Sequence, residues 1–180
     1  MHLFLCGFKN SGKSTLGKLL ADHLGKCFLD TDSLLEKAYC KKYHEKLNSS
    51  QIYEKKGEAF FRDLEKEVIE GLSEYEDCVV ALGGGSILEK DNVETLKKMG
   101  SFIYLNAPKE QLKKRCFRAT PPVMFHRCGM DPLSCFESHY AFRKPIYEKI
   151  ADLQVILSGN LEQECKDLFE AVQVFLTNGK

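Results

Sequence analysis

The sequence predicts an α/β fold, a five-stranded parallel sheet with helices on both faces in a three-layer α/β/α sandwich. Three observations predict it. Short apolar runs alternate with amphipathic helical stretches along all 180 residues. The runs lack the period-two alternation of a sheet with one wet face, as strands covered on both sides do. No internal repeat or low-complexity linker interrupts the pattern, so residues 1–180 read as one domain.

The first strand is Leu3–Cys6, and a glycine loop, Gly7-Phe8-Lys9-Asn10-Ser11-Gly12-Lys13-Ser14-Thr15, follows it. Leu16, Leu19, Leu20 and Leu24 then fall on one helical face, and Gly25 sits where a helix ends. The second strand, Cys27–Leu29, runs into Asp30-Thr31-Asp32, and the third, Cys78–Leu82, into Gly83-Gly84-Gly85. Phe102–Leu105 and Leu153–Leu157 supply the last two. Phe61, Leu64, Val68 and Leu72 mark a second helical stripe, and Leu161, Cys165, Leu168, Val172 and Leu176 a third. Two segments break the alternation. Residues 33–62 hold too much helix for a simple crossover, and residues 119–132 carry three prolines without periodicity. Such insertions usually carry a second substrate or cover a site.

Composition narrows the function. Formal net charge is zero, so no global field favours nucleic acid or a membrane surface. Residues 109–149 hold nine Lys/Arg against four Asp/Glu, a local excess suited to a small anion. No apolar run approaches the roughly 20 residues that span a bilayer, and no basic leader precedes the first strand, so a cytoplasmic protein is expected. The eight cysteines show no CxxC spacing. Cys6, Cys27 and Cys78 lie in strand-like runs and read as reduced apolar side chains. His126, Cys128, Cys135 and His139 have metal-binding types but fit no zinc-site spacing, and read as scattered.

The glycine loop matches GxxxxGK[ST] between a strand and a helix, the context that makes it a phosphate cradle. Its glycines let successive N–H groups turn inward at phosphate oxygens, and the helix start adds positive potential. Asn10, Ser11, Gly12, Lys13, Ser14 and Thr15 are the expected nucleotide contacts, with Lys13 reaching the β- and γ-phosphates and Ser14 the Mg²⁺. Lys9 reads as solvent-facing. A strand neighbouring the loop usually ends in a metal-binding acid, yet "VVALGGGS" ends in glycine. Asp30 and Asp32 take over: in an extended stretch both would point one way, one to the metal shell and one to an acceptor hydroxyl. Asp32 has the alternative of capping a helix that starts at Ser33. Three bare glycines beside the loop suit the floor of an acceptor pocket.

The loop, the DxD, "GEAFFR", "GGG" and "FRKPIYEKIAD", in this order, resemble the shikimate kinase family over almost the whole chain. The resemblance implies a nucleoside-monophosphate-kinase-like P-loop fold with a substrate-binding insertion at about 33–62 and a lid at about 115–132. It implies that Asp32 binds and helps deprotonate a shikimate hydroxyl, that Asp30 joins Ser14 at Mg²⁺, and that Arg62 and Arg143 hold the carboxylate with Gly84 and Gly85 completing the pocket. The reaction implied is ATP plus shikimate giving shikimate 3-phosphate and ADP, by a monomer. The residues agree, since planar guanidinium matches a carboxylate as lysine does not. Glu58 and Glu65 flank Arg62 at helical spacing and could brace it.

One departure stands out. Pro121 occupies the place of the family's lid arginine, and Arg118 is the favoured substitute, ahead of Arg115 and Arg127. "LSGN", residues 157–160, also lacks the family's arginine after the last strand, leaving the adenine contacts open. Two other readings compete: a kinase for another hydroxy acid such as gluconate, and a retired nucleotide-binding module. No Asn-Lys-x-Asp stretch supports a GTPase.

Overall fold

The computed structural model describes residues 1–118, 125 and 129–179. Five strands, β1 (His2–Cys6), β2 (Cys27–Asp30), β3 (Cys78–Ala81), β4 (Gly100–Asn106) and β5 (Leu153–Ile156), form one parallel sheet in the order β2-β3-β1-β4-β5. The expected five-stranded sheet with flanking helices is therefore present. Every residue of β1 and β3 is buried, which explains their unbroken apolar runs. The chain leaves β1 for the glycine loop, β2 for Asp30 and β3 for the triple glycine. With β3 between β1 and β2, all three open onto one edge of the sheet.

Helix α1 (Lys13–Leu24) packs on α8 (Leu161–Asn178), while α5 (Lys90–Met99) packs on β4 and on α4 (Glu58–Glu70). The Gly25 N–H, in left-handed backbone, closes α1 onto the Ala21 and Asp22 carbonyls. The apolar stripes need two corrections. Leu19 is 37% exposed and Leu161 50%, so neither belongs to the core. Leu161 lies at the mouth of a cleft.

Residues 33–62 fall in α2 (Thr31–Tyr43), α3 (Ser49–Lys56) and the start of α4. These helices enclose an apolar cluster of their own, Leu35, Tyr39, Ile52, Phe61, Leu64 and Val68. Each fully buried side chain of this size contributes about 1.5–3 kcal/mol, so the cluster holds the insertion as a solid unit. A capping box between Asn48 and Gln51 starts α3.

Helix α6 (Lys109–Cys116) and helix α7 (Pro132–Ile150), the latter capped by Asp131, flank the expected lid, of which residues 119–124 and 126–128 lie outside the described residues. No described helix is long and apolar enough to cross a membrane. Cys27 and Cys78, expected to be reduced, are instead joined as a disulfide between register partners of β2 and β3. The two positions face each other across adjacent strands, with Cα atoms 4.6 Å apart. Sequence alone could not show this pairing.

Candidate active site

A cleft of about 1100 Å³ opens at the sheet edge where β1, β2 and β3 end. The glycine loop forms its floor. Gly7 at φ +144° and Gly12 at φ +101° hold backbone that a side chain would strain, and a Cβ on Gly7 would come 2.9 Å from the Leu105 carbonyl oxygen. Asn10 also adopts left-handed backbone, at φ 64°. Lys13 bends back over the loop, donating to the Gly7 and Phe8 carbonyls at 3.0 and 2.9 Å. Burial lowers the Lys13 pKa, and the Asp32 charge works against that shift. Ser11 is fully buried behind the loop and does not face the cleft, and its Oγ has no hydrogen-bond partner among the described residues.

At the next strand end, Asp30 and Asp32 divide their tasks differently from the sequence expectation. The helix begins at Thr31, so Asp32 sits in the first turn of α2 and the two carboxylates do not share an extended stretch. Asp30 is the cap. Its Oδ1 accepts from the Asp32 and Ser33 N–H groups, and its Oδ2 accepts from Ser14 Oγ at 2.6 Å. Asp32 is thereby relieved of capping and lines the cleft. Its pKa is raised by burial first and by the Asp30 charge second, with Lys13 and Lys9 opposing. Thr31 ties the strand ends together, donating to the Ala81 carbonyl and accepting from the Gly83 N–H.

The triple glycine is there for close approach. A Cβ on Gly83 would lie 3.2 Å from the Asp32 Oδ1, and one on Gly85 would press into the Arg62 guanidinium at 2.8 Å. Arg62 is braced by Glu65, whose Oε2 accepts from Nη1 at 2.6 Å, with Glu58 more distant at 3.8 Å. Glu65 is 3% exposed and also accepts from Ser86 Oγ at 2.7 Å, so its position is fixed from two sides. Arg143 is 7% exposed and donates to the Gly84 carbonyl at 3.4 Å. Burial depresses its pKa, and the nearby Arg62 charge pushes the same way. Two converging guanidiniums, one of them braced by Glu65 with Glu58 farther off, present planar N–H donors, a ready seat for an anion.

Sequence reasoning missed several residues in the cleft or directly behind it. The Tyr147 hydroxyl donates to the Gly84 carbonyl at 2.5 Å, its ring stacked on Tyr104. His139, one helical turn before Arg143, has a buried Nδ1 without a hydrogen-bond partner among the described residues, and burial lowers its pKa. Its Nε2 lies 3.8 Å from the Cys135 Sγ. His126 and Cys128 lie outside the described residues, and no metal-holding group of three His, Cys, Asp or Glu occurs among the described ones. Lys9 corrects an expectation outright: it is half-buried, turns into the cleft and reaches the Ser50 Oγ at 3.4 Å. At the opposite end Arg115 donates to the Asn10 carbonyl at 3.2 Å, and Arg118 lines the same wall with no hydrogen bond or ion pair among the described residues. Pro121 and Arg127 lie outside the described residues.

The family model for shikimate kinase matches residues 9–173. This chain belongs to the shikimate kinase family. The shikimate kinase of Aquifex aeolicus is 37% identical over 173 residues, covering 96% of each chain, and that of Persephonella marina 36% identical over 158 residues, covering 88% and 90%. Among solved structures, the shikimate kinase from Acinetobacter baumannii in complex with shikimate superposes with a TM-score of 0.83 at 29% identity, covering 98% of this chain and 93% of that one. The A. aeolicus structure gives 0.78 at 32% identity, covering 98% and 99%. A gluconokinase from Sinorhizobium meliloti gives 0.59 at 19% identity over 98% and 94%, a likeness of fold alone. The chain is thus an ATP-dependent kinase of the shikimate kinase family with a P-loop fold.

Proposed function

We propose that this protein transfers the γ-phosphoryl group of Mg-ATP to the 3-hydroxyl of shikimate. The observation that carries the reading is the position of Asp32. It lines the cleft within reach of the Lys13 charge on one side, and beside Gly83 and the Glu65–Arg62 pair on the other. A base between a phosphate cradle and an anion seat is what transfer to a hydroxy acid requires.

In this reading Arg62 and Arg143 take the acceptor carboxylate, and Gly84 and Gly85 let the ring approach the backbone. Asp32 accepts the hydroxyl proton as the new O–P bond forms, and the bond from the γ-phosphorus to the β–γ bridging oxygen breaks to release ADP. Its raised pKa suits a base working near neutrality better than an ordinary carboxylate does. Lys13 exchanges the Gly7 and Phe8 carbonyls for phosphate oxygens. Asn10, Gly12, Ser14 and Thr15 hold the phosphates from the loop, with Ser11 buttressing it from behind. Arg118 contributes positive charge on the nucleotide side, and Arg115 steadies the loop through Asn10.

The hydroxyl of Ser14 and the carboxylate of Asp30, 2.6 Å apart and both oxygen donors, fit a magnesium ion that keeps most of its water. When bound, the ion neutralises phosphate charge. We further read the protein as a cytoplasmic monomer acting on small molecules, with neither nucleic acid nor membrane as partner.

The test is ADP release from Mg-ATP by the purified protein with shikimate, with gluconate, and with neither. Strong dependence on shikimate is expected. Release with gluconate alone, or equally without an acceptor, would overturn the assignment. Tight ATP binding without turnover on any acceptor would mark a retired enzyme.

A further inference from the structure

Transfer of a phosphoryl group spreads negative charge over its three outer oxygens, and catalysis rests on cations placed around them. Lys13 covers the side facing the loop and α1. The described arginines lie elsewhere: Arg62 is held by Glu65 at the acceptor end, Arg143 by the Gly84 carbonyl, Arg115 by the Asn10 carbonyl at the nucleotide end, and Arg118 lines that same nucleotide-side wall. Among the described residues, the side of the loop that faces the acceptor has one cation left, Lys9.

The placement of Lys9 is specific. It is the third residue of the loop, at its apex, and its backbone packs against the triple glycine: a Cβ on Gly84 would lie 3.4 Å from the Lys9 nitrogen. That contact aims the side chain along the acceptor side of the cleft. Its ammonium rests on the Ser50 hydroxyl of α3 at 3.4 Å, a long and weak bond, with no carboxylate engaged. The charge nevertheless acts inside the site, since it bears on both Asp32 and Lys13. A lysine on a flexible four-carbon stem, parked on one hydroxyl, can swing to a phosphate at little cost.

We propose that Lys9 is a catalytic residue, its Nζ leaving Ser50 to bind the outer oxygens of the transferred phosphoryl group on the face opposite Lys13. Lys9 gives up no proton. The acceptor proton goes to Asp32, the bond to the β–γ bridging oxygen breaks, and Lys9 holds the charge that passes between them. The proposal rests on the phosphotransfer reading above but not on which hydroxy acid is the acceptor.

The test compares wild type with Lys9→Met, which keeps the length and removes the charge, and Lys9→Arg, which restores it. Steady-state rates with shikimate and separate titrations with ATP and with ADP are read for each. Lys9→Met is expected to lose about 100-fold in kcat, the scale of one preorganised charge-stabilising contact. ADP affinity should stay within about twofold, which also certifies the fold, and Lys9→Arg should recover most of the rate. A kcat within about threefold of wild type overturns the proposal. So does a loss confined to acceptor KM, and so does Lys9→Arg failing as fully as Lys9→Met. If wild type proves inactive on shikimate, the acceptor reading fails and the nucleotide titrations decide Lys9. A drop of about tenfold in the preference for ATP over ADP supports it, and an unchanged preference sinks it.

Discussion

Glu65 holds Arg62: its Oε2 lies 2.6 Å from Nη1, and its other oxygen is pinned at 2.7 Å by the Ser86 hydroxyl. An arginine aimed this way is positioned before any anion arrives, so acceptor binding loses little rotamer freedom. Glu65→Gln keeps the shape and removes the charge. We expect acceptor KM to rise about tenfold, near 1.4 kcal/mol, with a smaller change in kcat. Steady-state kinetics over a range of acceptor concentrations checks this, and an unchanged KM would remove Glu65 from the positioning of Arg62.

Asp32 links activity to pH. Its folded pKa is raised above the unfolded carboxylate value, so the folded chain binds that proton more tightly and loses stability as pH rises through the raised value. Asp32→Asn should therefore melt higher than wild type at pH 7, and the advantage should fade below the ordinary carboxylate range. Turnover should fall at least about 100-fold with ATP binding intact. In wild type, kcat/KM should climb with pH along a limb displaced above that range. Thermal melts at two pH values and a pH–rate profile supply the readouts; a limb at the ordinary carboxylate value contradicts the assignment.

Tyr147→Phe removes the 2.5 Å bond to the Gly84 carbonyl and leaves, among the described residues, the 3.4 Å contact from Arg143. The net loss should be about 1 kcal/mol, a fall of about 2–4 °C in Tm for a chain this size. The freed Gly84 peptide should also raise acceptor KM severalfold. Calorimetry and kinetics on the same sample separate the two effects, and a wild-type Tm would show the bond to be worth nothing.

Arg115 and Arg118 share a wall but not a role. Arg115→Ala cuts the bond to the Asn10 carbonyl and should raise the KM for ATP. Arg118→Ala removes a side chain with no hydrogen bond or ion pair among the described residues, and should slow turnover at least about tenfold at saturating ATP. Full activity in the Arg118 variant would take it out of the site.

The sheet and the two ends of the cleft were legible because each has a covalent or periodic signature. The glycine loop is a fixed spacing, and strands buried on both faces read as unbroken apolar runs. Neighbours made by tertiary packing left no such trace. Nothing in the local sequence reveals that Tyr147 meets Gly84 across 63 positions, or that Cys27 and Cys78 share a register. The DxD misled for a local reason: Asp30 caps α2, so the helix starts one residue before Asp32, and alternation along a strand no longer applies. Lys9 looked like solvent-facing loop because the Gly84 backbone that turns it inward comes from another strand.

The helices that carry Arg62 close around a core separate from the one beneath the phosphate cradle, with Leu34 touching both. The Arg62 end of the acceptor seat is therefore housed apart from the phosphate cradle, with Asp32 at the start of α2 as the member they share. A lineage, or an engineer, can retune what this fold accepts by rewriting α3 and the start of α4 while Asp32 and the engine at β1 stay untouched. The traffic between the two is confined to a narrow seam, and that seam is where trade-offs between choosiness and speed should collect.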